Sequence, residues 1–395
     1  MTKKIPKRID AFNDKSIKIP FVYPQISSKD KNAIMSALNS ILLTDGPQLN
    51  NFEKKFSKFT KSKFAIGTSN ATSSLELCLR AIGIKPGDEV LVPNLTFVAT
   101  ASAVLHCGAT PILVDVDKNT LNINFESLKK SITKKTKAII PVHFAGRYCD
   151  IHKIKKICRE NQIKIIEDCA HAIGTRYKDQ HVGTFGDAGC FSFYPTKNIT
   201  TIEGGMIITN SKSIMNDVKK SRNHGIDKTL VNRFSNGNPW DFDIKKPGFN
   251  YRLDEIRSAL GISQLNRIKS MNLQRKKIND YYSNKLKSIK GIITPLDSSK
   301  NENSYHLYII RITKEFPKSR DQVFKELLKK GIRTSVHYKP LSYFSIFKNK
   351  AKIYDKVTNS VELYKEILSL PMFPELKKFE QDYIIDQIKI ISENK

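Results

Sequence analysis

Between residues 64 and 167 the chain alternates between two hydrophobic periods. Short apolar runs of strand length give way to stretches whose apolar positions recur at helical spacing. Phe64-Ala65-Ile66 reads as a strand. Residues 72–82 read as a helix, with Leu75, Leu77, Cys78 and Leu79 apolar and Gly83 just past its end. Val90-Leu91-Val92 is the next strand, residues 97–106 a helix and residues 111–115 a strand. The alternation repeats at 138–142, 151–160 and 163–167, and further strands fall at 189–193 and 205–209. Strand and helix alternating at this interval predict a parallel sheet covered by helices.

The flanks differ. Ser27-Ser28-Lys29-Asp30 reads as the cap of a helix running to Leu38, with Ile34, Met35 and Leu38 on one face. A turn at Thr44-Asp45-Gly46-Pro47 leads to a second helix around 52–59. A long helical stretch runs from near Leu253 towards Ile289. Beyond it come a strand over 305–312, a helix over 321–330, a strand over 333–338, and helices over 361–369 and 379–392. The fold class is therefore α/β. A large domain over residues 21–265 holds a mainly parallel sheet between helices. A linker helix and a smaller C-terminal α+β domain occupy 266–395, and residues 1–20 form a basic, extended arm.

Bulk properties narrow the function. The chain has 395 residues, 39% of them hydrophobic. No apolar run approaches the roughly 18 residues that span a bilayer. The basic N-terminus is not followed by an apolar stretch, so no signal peptide is read there, and a cytoplasmic enzyme without membrane partners is expected. The sequons at Asn70 and Asn94 are discounted on the same ground. The formal charge is +29. Its lysines are spread along the whole chain without an aromatic-interleaved stripe, which argues against nucleic acid. A lysine-favouring composition accounts for the charge, and positive potential also suits an anionic substrate. The six cysteines form no C-x-x-C pair and sit mostly in apolar segments. They read as reduced core residues, and no metal site is expected.

The chemistry gathers where strands end. In open α/β sheets ligands bind outside the carboxyl ends of the strands. Ser69-Asn70-Ala71-Thr72-Ser73 opens a helix there, suited either to a phosphate or to ordinary capping. Phe97 follows the next strand, where an aromatic ring can lie flat on a ligand. Asp168 and His171 follow the strand over 163–167. Lys197 lies in Phe191-Ser192-Phe193-Tyr194-Pro195-Thr196-Lys197-Asn198, ahead of Glu203-Gly204-Gly205. An amine to hold an aldehyde and a carboxylate to keep a ring nitrogen protonated are what pyridoxal 5′-phosphate requires.

These residues, in this order, resemble the sugar aminotransferases of the DegT/DnrJ/StrS type within the fold-type-I pyridoxal-phosphate superfamily. The likeness runs from about residue 20 to 390. It includes Leu43-Thr44-Asp45-Gly46-Pro47, Gly87-Asp88-Glu89-Val90, Thr96-Phe97-Val98-Ala99-Thr100 and Pro141-Val142-His143. It continues in Arg222-Asn223-His224-Gly225, Gly248-Phe249-Asn250-Tyr251-Arg252, Ser258-Ala259-Leu260-Gly261 and His337-Tyr338.

The resemblance implies roles. Lys197 matches the lysine that binds the cofactor aldehyde, and Asp168 the partner of the pyridine nitrogen. His171 falls beside the cofactor ring, and Phe97 stacks on it. Ala71, Thr72 and Ser192 match the phosphate cradle. Asn250 matches the residue that reaches the phosphate of a neighbouring subunit, which implies a homodimer with shared sites. His224 and His337 lie in segments lining the sugar pocket. The implied reaction moves an amine from an amino acid donor, glutamate by resemblance, to a nucleotide-linked keto sugar for surface-glycan biosynthesis. His143-Phe144-Ala145-Gly146 leans towards a 4-keto-6-deoxy sugar. Three residues depart from the family pattern. Asp45 stands where Thr is common, Asn70 where Ser or Gly is, and Ser342 where His follows the His337-Tyr338-Lys339-Pro340-Leu341 stretch. The alternatives are a sugar dehydratase of the same fold, in which a histidine replaces the lysine, and a non-catalytic regulatory member.

Overall fold

A computed structural model describes residues 16–227, 238, 240–296 and 301–393. Its centre is a seven-stranded sheet. In chain order the strands are β1 (Phe64–Thr68), β2 (Glu89–Pro93), β3 (Thr110–Val114), β4 (Thr136–Ile139) and β5 (Lys164–Asp168). Two short strands, β6 (Arg176–Tyr177) and β7 (Gln180–His181), form a separate hairpin. The main sheet then resumes with β8 (Ala188–Ser192) and β9 (Gly205–Thr209). The spatial order is β1-β9-β8-β5-β4-β2-β3. The pairs β2–β3, β2–β4, β4–β5 and β5–β8 are parallel, while β9 runs against both of its neighbours.

Helices cover both faces, which is why the strands read as unbroken apolar runs rather than alternating ones. On one face Phe52 and Phe56 of α2 (Pro47–Thr60) pack with Ile139, Ile165, Phe191 and Phe193. On the other, Leu75 and Leu79 of α3 (Ala71–Ala81) pack with Val90, Val92, Ile166 and Ile207. Adjacent residues such as Ile165 and Ile166 serve opposite cores, as the two-residue strand period requires. The first helix is α1 (Ser28–Leu38), and Ser27 closes its capping box with Asp30 as the sequence predicts. The remaining crossovers use α4 (Ala99–His106), α5 (Phe125–Lys130), α6 (Ile151–Glu160) and α7 (Lys212–Ser221).

Several boundaries differ from the sequence reading. The helix expected from residue 97 starts at Ala99, leaving Phe97 outside it. The long helical stretch divides into α8 (Glu255–Leu265) and α9 (Ile268–Leu286). At the break the Arg267 guanidinium turns to the Asp30 carboxylate and the Gln25 carbonyl. The small C-terminal α+β domain is built on β10 (Ile292–Ile293), β12 (Tyr308–Ile312) and β13 (Ile367–Leu370), with β11 (Asn301–Glu302) joining the β6–β7 hairpin instead. The strand expected from residue 305 pairs only from Tyr308, because the amides of Ser304 and His306 bond to the carbonyls of Gly146 and Ala145.

The strand expected over 333–338 is reduced to one bridge, Ser335 to Ser369. The helix expected over 361–369 is the clearest correction. After α10 (Arg320–Lys329) and α11 (Ser345–Lys350), α12 (Thr358–Glu366) ends at Glu366, and Ile367-Leu368-Ser369-Leu370 becomes a fully buried strand. A short apolar run carries no period that separates strand from helix, and pairing with β12 decided it. The last helix is α13 (Lys378–Glu393). Of the N-terminal arm, residues 1–15 lie outside the described residues. Ile19 is fully buried in the small-domain core, and the amides of Lys18 and Ile19 bond to the Gly331 carbonyl.

The α8 residue Glu255, fully buried, accepts the amides of Gly46 (3.0 Å), Leu49 (2.9 Å) and Gln48 (2.7 Å) and so caps α2. Glu255→Ala leaves those three donors without an acceptor. We expect a loss of about 2–4 kcal/mol, read as a lower urea midpoint with an unchanged slope.

Candidate active site

The carboxyl end of β5 delivers Asp168 into the interior, 5% exposed. Its Oδ2 accepts the Thr100 hydroxyl at 2.9 Å and its Oδ1 the Ala170 amide at 3.1 Å. Burial raises the pKa of this carboxyl above the usual carboxylate range, and those two donors with the Lys197 and His143 charges pull it back only in part. A buried acid left in that state favours a cationic N–H as its next neighbour.

Lys197 sits across from it on the loop between β8 and β9. The loop closes on itself. The Lys197 amide bonds to the Tyr194 carbonyl at 2.9 Å, and the Thr201 amide to the Phe193 carbonyl at 3.0 Å. Burial lowers the lysine pKa from 10.5 to about 8, against the opposing pull of Asp168. Such an amine is a nucleophile near neutral pH.

The same loop reaches the phosphate-cradle candidates. Ser192 pairs with Gly205 across β8 and β9. Gly205 in turn lies so close to α3 that an added Cβ would stand 2.5 Å from the Asn70 carbonyl carbon and oxygen. Asn70 is the cap of α3. Its Oδ1 accepts the Ser73 amide at 2.8 Å, and Ser73 Oγ accepts the Asn70 amide at 3.3 Å. The capping alternative is observed, and it leaves room for the other. Asn70 caps, while Ala71 and Thr72 stand in the open first turn, where helix geometry leaves N–H groups for an anion.

Phe97 lies one turn before Thr100, 54% exposed, with its ring 5.8 Å from that of Tyr338. His171 is buried between Phe144, His306 and Tyr338. Its Nδ1 accepts the Ala145 amide at 3.3 Å, and its Nε2 meets the Tyr338 hydroxyl at 3.0 Å. Burial, then the charges of Lys197 and His337, hold its pKa well below the ordinary histidine value. His337 bonds to Ser369 Oγ at 2.8 Å and stacks on Phe21. Burial, then Lys197, lower its pKa to about 3.

The structure thus gathers Lys197, Asp168, His171, Phe97 and His337, with Ala71, Thr72 and Ser192 joined to them through Gly205. It does not bring His224 or Asn250 to that cluster. Both are exposed, on segments linked by the Asn223–Asn250 bridge, beside the Ser69–Tyr251 hydrogen bond. An exposed Asn250 next to the start of α3 agrees with a reach outwards rather than into its own cleft.

Two contacts escaped the sequence reading. Thr100 was quoted inside a motif, but only the helix geometry aims its hydroxyl at Asp168. Tyr338 comes from the small domain, and no local spacing ties it to His171. The structure also groups His143, Glu167 and Cys169, all buried. The Glu167 carboxylate already accepts the amides of Gly183, Phe185 and Gly186 and meets His143 Nε2 at 2.9 Å. His143 Nδ1 accepts the Cys149 amide. That pair is a structural clamp beneath Asp168. All six cysteines are buried and free.

Residues 24–389 match the DegT/DnrJ/EryC1/StrS aminotransferase family. The chain belongs to this family. It is 34% identical to the spore coat polysaccharide biosynthesis protein SpsC of Bacillus subtilis over 376 residues, 94% of this chain and 97% of that protein. Among solved structures it is similar to the putative sugar aminotransferase Spr1654 of Streptococcus pneumoniae. The TM-score is 0.89 at 32% identity, covering 95% of this chain and 99% of that one. It also resembles Helicobacter pylori PseC, an aminotransferase involved in pseudoaminic acid biosynthesis. There the TM-score is 0.88 at 29% identity, with 95% and 100% covered.

The protein is a sugar aminotransferase by family, and its cofactor is pyridoxal phosphate, with which Spr1654 has been solved in both PLP and PMP forms. The residues present fit that group. They supply a lysine with a depressed pKa, a buried carboxyl short of positive charge, an aromatic ring with an open face and a free helix N-terminus.

The Lys197 pKa fixes a pH dependence. Half of its amine has lost its proton near pH 8, whereas an ordinary lysine reaches that point at 10.5. Capture of added pyridoxal phosphate by the cofactor-free protein should therefore speed up with pH through a midpoint near 8. Stopped-flow absorbance reads this, and Lys197→Ala should abolish the coloured, borohydride-fixable product.

Proposed function

We propose that the protein transfers an amino group from an amino acid, glutamate, to a nucleotide-linked keto sugar in surface-glycan biosynthesis, working as a cytoplasmic homodimer with shared sites. The observation that carries the reading is that Lys197 and Asp168 are both buried and close enough for each to shift the other's pKa. When bound, the cofactor supplies an aldehyde for the amine and a ring that stores the electrons of the broken C–H bond. Lys197 would hold the aldehyde and, once freed from it, would move the proton at the substrate carbon. Asp168, fixed by Thr100 and Ala170, would keep the ring nitrogen protonated. Phe97 and His171 would flank the ring. Ala71, Thr72 and Ser192 take the phosphate, with Asn250 supplied by the second subunit. His224 and His337 border the sugar.

Support for a glycan product comes from what SpsC and PseC are named for. Support for a 4-keto-6-deoxy acceptor is the His143-Phe144-Ala145-Gly146 turn, whose Phe144 ring lies edge-on to both His171 and Tyr338. The spread positive charge, +29 overall, favours a doubly anionic nucleotide diphosphate. The dehydratase alternative loses ground because position 197 is a lysine, and the regulatory one because the lysine, acid and cradle are all present. Among the described residues no helix is long and apolar enough to cross a membrane.

The deciding experiment loads the amine form with glutamate and screens nucleotide keto sugars. A 4-keto-6-deoxy sugar should restore the lysine-bound colour at the highest rate. Restoration by 3-keto sugars alone would overturn the regiochemistry, and by no sugar the acceptor class. For the shared site, Asn250→Ala should raise the cofactor dissociation constant at least tenfold. Mixing it with Lys197→Ala should recover about a quarter of native activity, because half the dimers then carry one intact site. Monomeric protein with full activity would end that part of the reading.

A further inference from the structure

A groove of about 750 Å³ runs between the end of α2, the β6–β7 hairpin and the start of α9. It is cationic. Lys61, Arg176, Lys178, Lys269 and Lys276 line it, against the acids Asp179 and Glu302. Arg176 faces Glu302 at 3.8 Å, and Lys276 bonds to Asp280. Lys61, Lys178 and Lys269 are exposed, and among the described residues they have no acidic partner. None of the residues assigned here to the cofactor or the sugar lines this groove.

A lysine-rich chain puts cations on any surface, so the backbone is the sharper evidence. Lys61 ends α2 at φ 59°, and Lys178 takes φ 52° in the two-residue turn between β6 and β7. Both are left-handed positions, where glycine or asparagine is the relaxed choice. Tyr305, at φ 50°, is a third. The described residues include nine non-glycine residues at positive φ, and three of the nine line this one groove. Strained backbone of this kind collects where ligands are held. Two of the three are lysines without an acidic partner.

Size and lining name the ligand. A bare phosphate would leave most of the volume empty, whereas a nucleotide is of the size such pockets take. Phe59, Ile268 and Leu273 supply an apolar wall for a planar base. The start of α9 has no side-chain cap, so its first-turn amides add to the positive potential of the lysines. We propose that this groove is a second ligand site, for a nucleoside diphosphate, with Lys61, Lys178 and Lys269 holding the phosphates. The site goes beyond the amino transfer and does not depend on it. One residue joins it to the lysine loop. Asn272 lines the groove, accepts the Asn198 side-chain amide at 2.7 Å and donates to the Ile173 carbonyl at 3.0 Å. A bound nucleotide therefore bears on the residue after Lys197 from outside the cleft.

The test is calorimetric titration of adenosine diphosphate and of inorganic pyrophosphate into protein whose cofactor is fixed on Lys197 by borohydride. The same titrations of cofactor-free protein make the result independent of the cofactor assignment. The apolar wall should make the nucleotide bind about tenfold tighter than pyrophosphate. Lys61→Gly and Lys178→Gly should each raise its dissociation constant about tenfold, and Lys269→Ala likewise. The two glycine variants should melt no lower than the wild type, because glycine relieves the left-handed backbone. Lys325→Ala combined with Lys365→Ala removes two charges from α10 and α12, neither of which lines the groove, and should leave the affinity unchanged. Absence of nucleotide binding overturns the proposal. So does an affinity indifferent to Lys61 and Lys178, as binding in the catalytic cleft alone would give, or an equal loss in the Lys325→Ala/Lys365→Ala protein. Pyrophosphate binding as tightly as the nucleotide would overturn the nucleoside assignment.

Discussion

One buried carboxylate organises the molecule. Asp168 closes the central strand of a sheet covered on both faces, 5% exposed, with two neutral donors and, among the described residues, no cation in contact. Such a group is costly unless something positive completes it. The fold meets part of that cost through Thr100 and Ala170, and leaves the rest to a ligand. Lys197 is placed to sense the acid but not to pair with it, since the same burial that raises the acid's pKa lowers the lysine's. Two groups that would neutralise each other in water are kept apart, as the roles proposed for them at the cofactor require.

The three histidines around the lysine follow from the same constraint. His171, His306 and His337 are each held neutral, first by burial and then by neighbouring cations that include Lys197. A protonated imidazole there would compete for Asp168 and repel the lysine's proton. Neutral rings instead act as oriented hydrogen-bond parts. Asn198 donates through Nδ2 to Asn272 Oδ1 and to the Ser304 carbonyl, so its Oδ1 must accept, and His306 carries its proton on Nδ1. The residue after Lys197 is thereby braced by α9 and by the segment entering the small domain.

That arrangement separates what sequence can show from what it cannot. The βα alternation exposed the sheet, because each strand carries its own apolar run and each helix its own stripe. Lys197, Asp168, Phe97 and the start of α3 were legible because each follows a strand end, where a parallel sheet gathers its ligands. Tyr338, Thr100 and the Asn198–His306 brace were not. Their roles depend on which side chains meet across 68 or more residues of chain, and no local period encodes that. The strand Ile367–Leu370 was read as helix for a related reason: three apolar residues and a serine fit either period until β12 pairs with them.

The segment 304–306 shows why such long-range contacts belong to function as well as to stability. Ser304 Oγ donates to the His171 carbonyl at 2.6 Å, and the Ser304 amide bonds to the carbonyl of Gly146. The His306 carbonyl accepts from the buried Arg275 of α9, which also bonds to the Met372 carbonyl beside β13. The loop carrying His171, the Ala145 turn, the lysine loop and the small domain thus share one hydrogen-bonded seam. A displacement of the small domain cannot leave the orientation of His171 or Lys197 untouched, because the seam has no slack of unpaired backbone to absorb it. On the proposed roles, a substrate touching the segment that holds His337 and Tyr338 acts through this seam on Lys197 and Asp168. The polar residues of the seam are fixed by the proton each gives or takes.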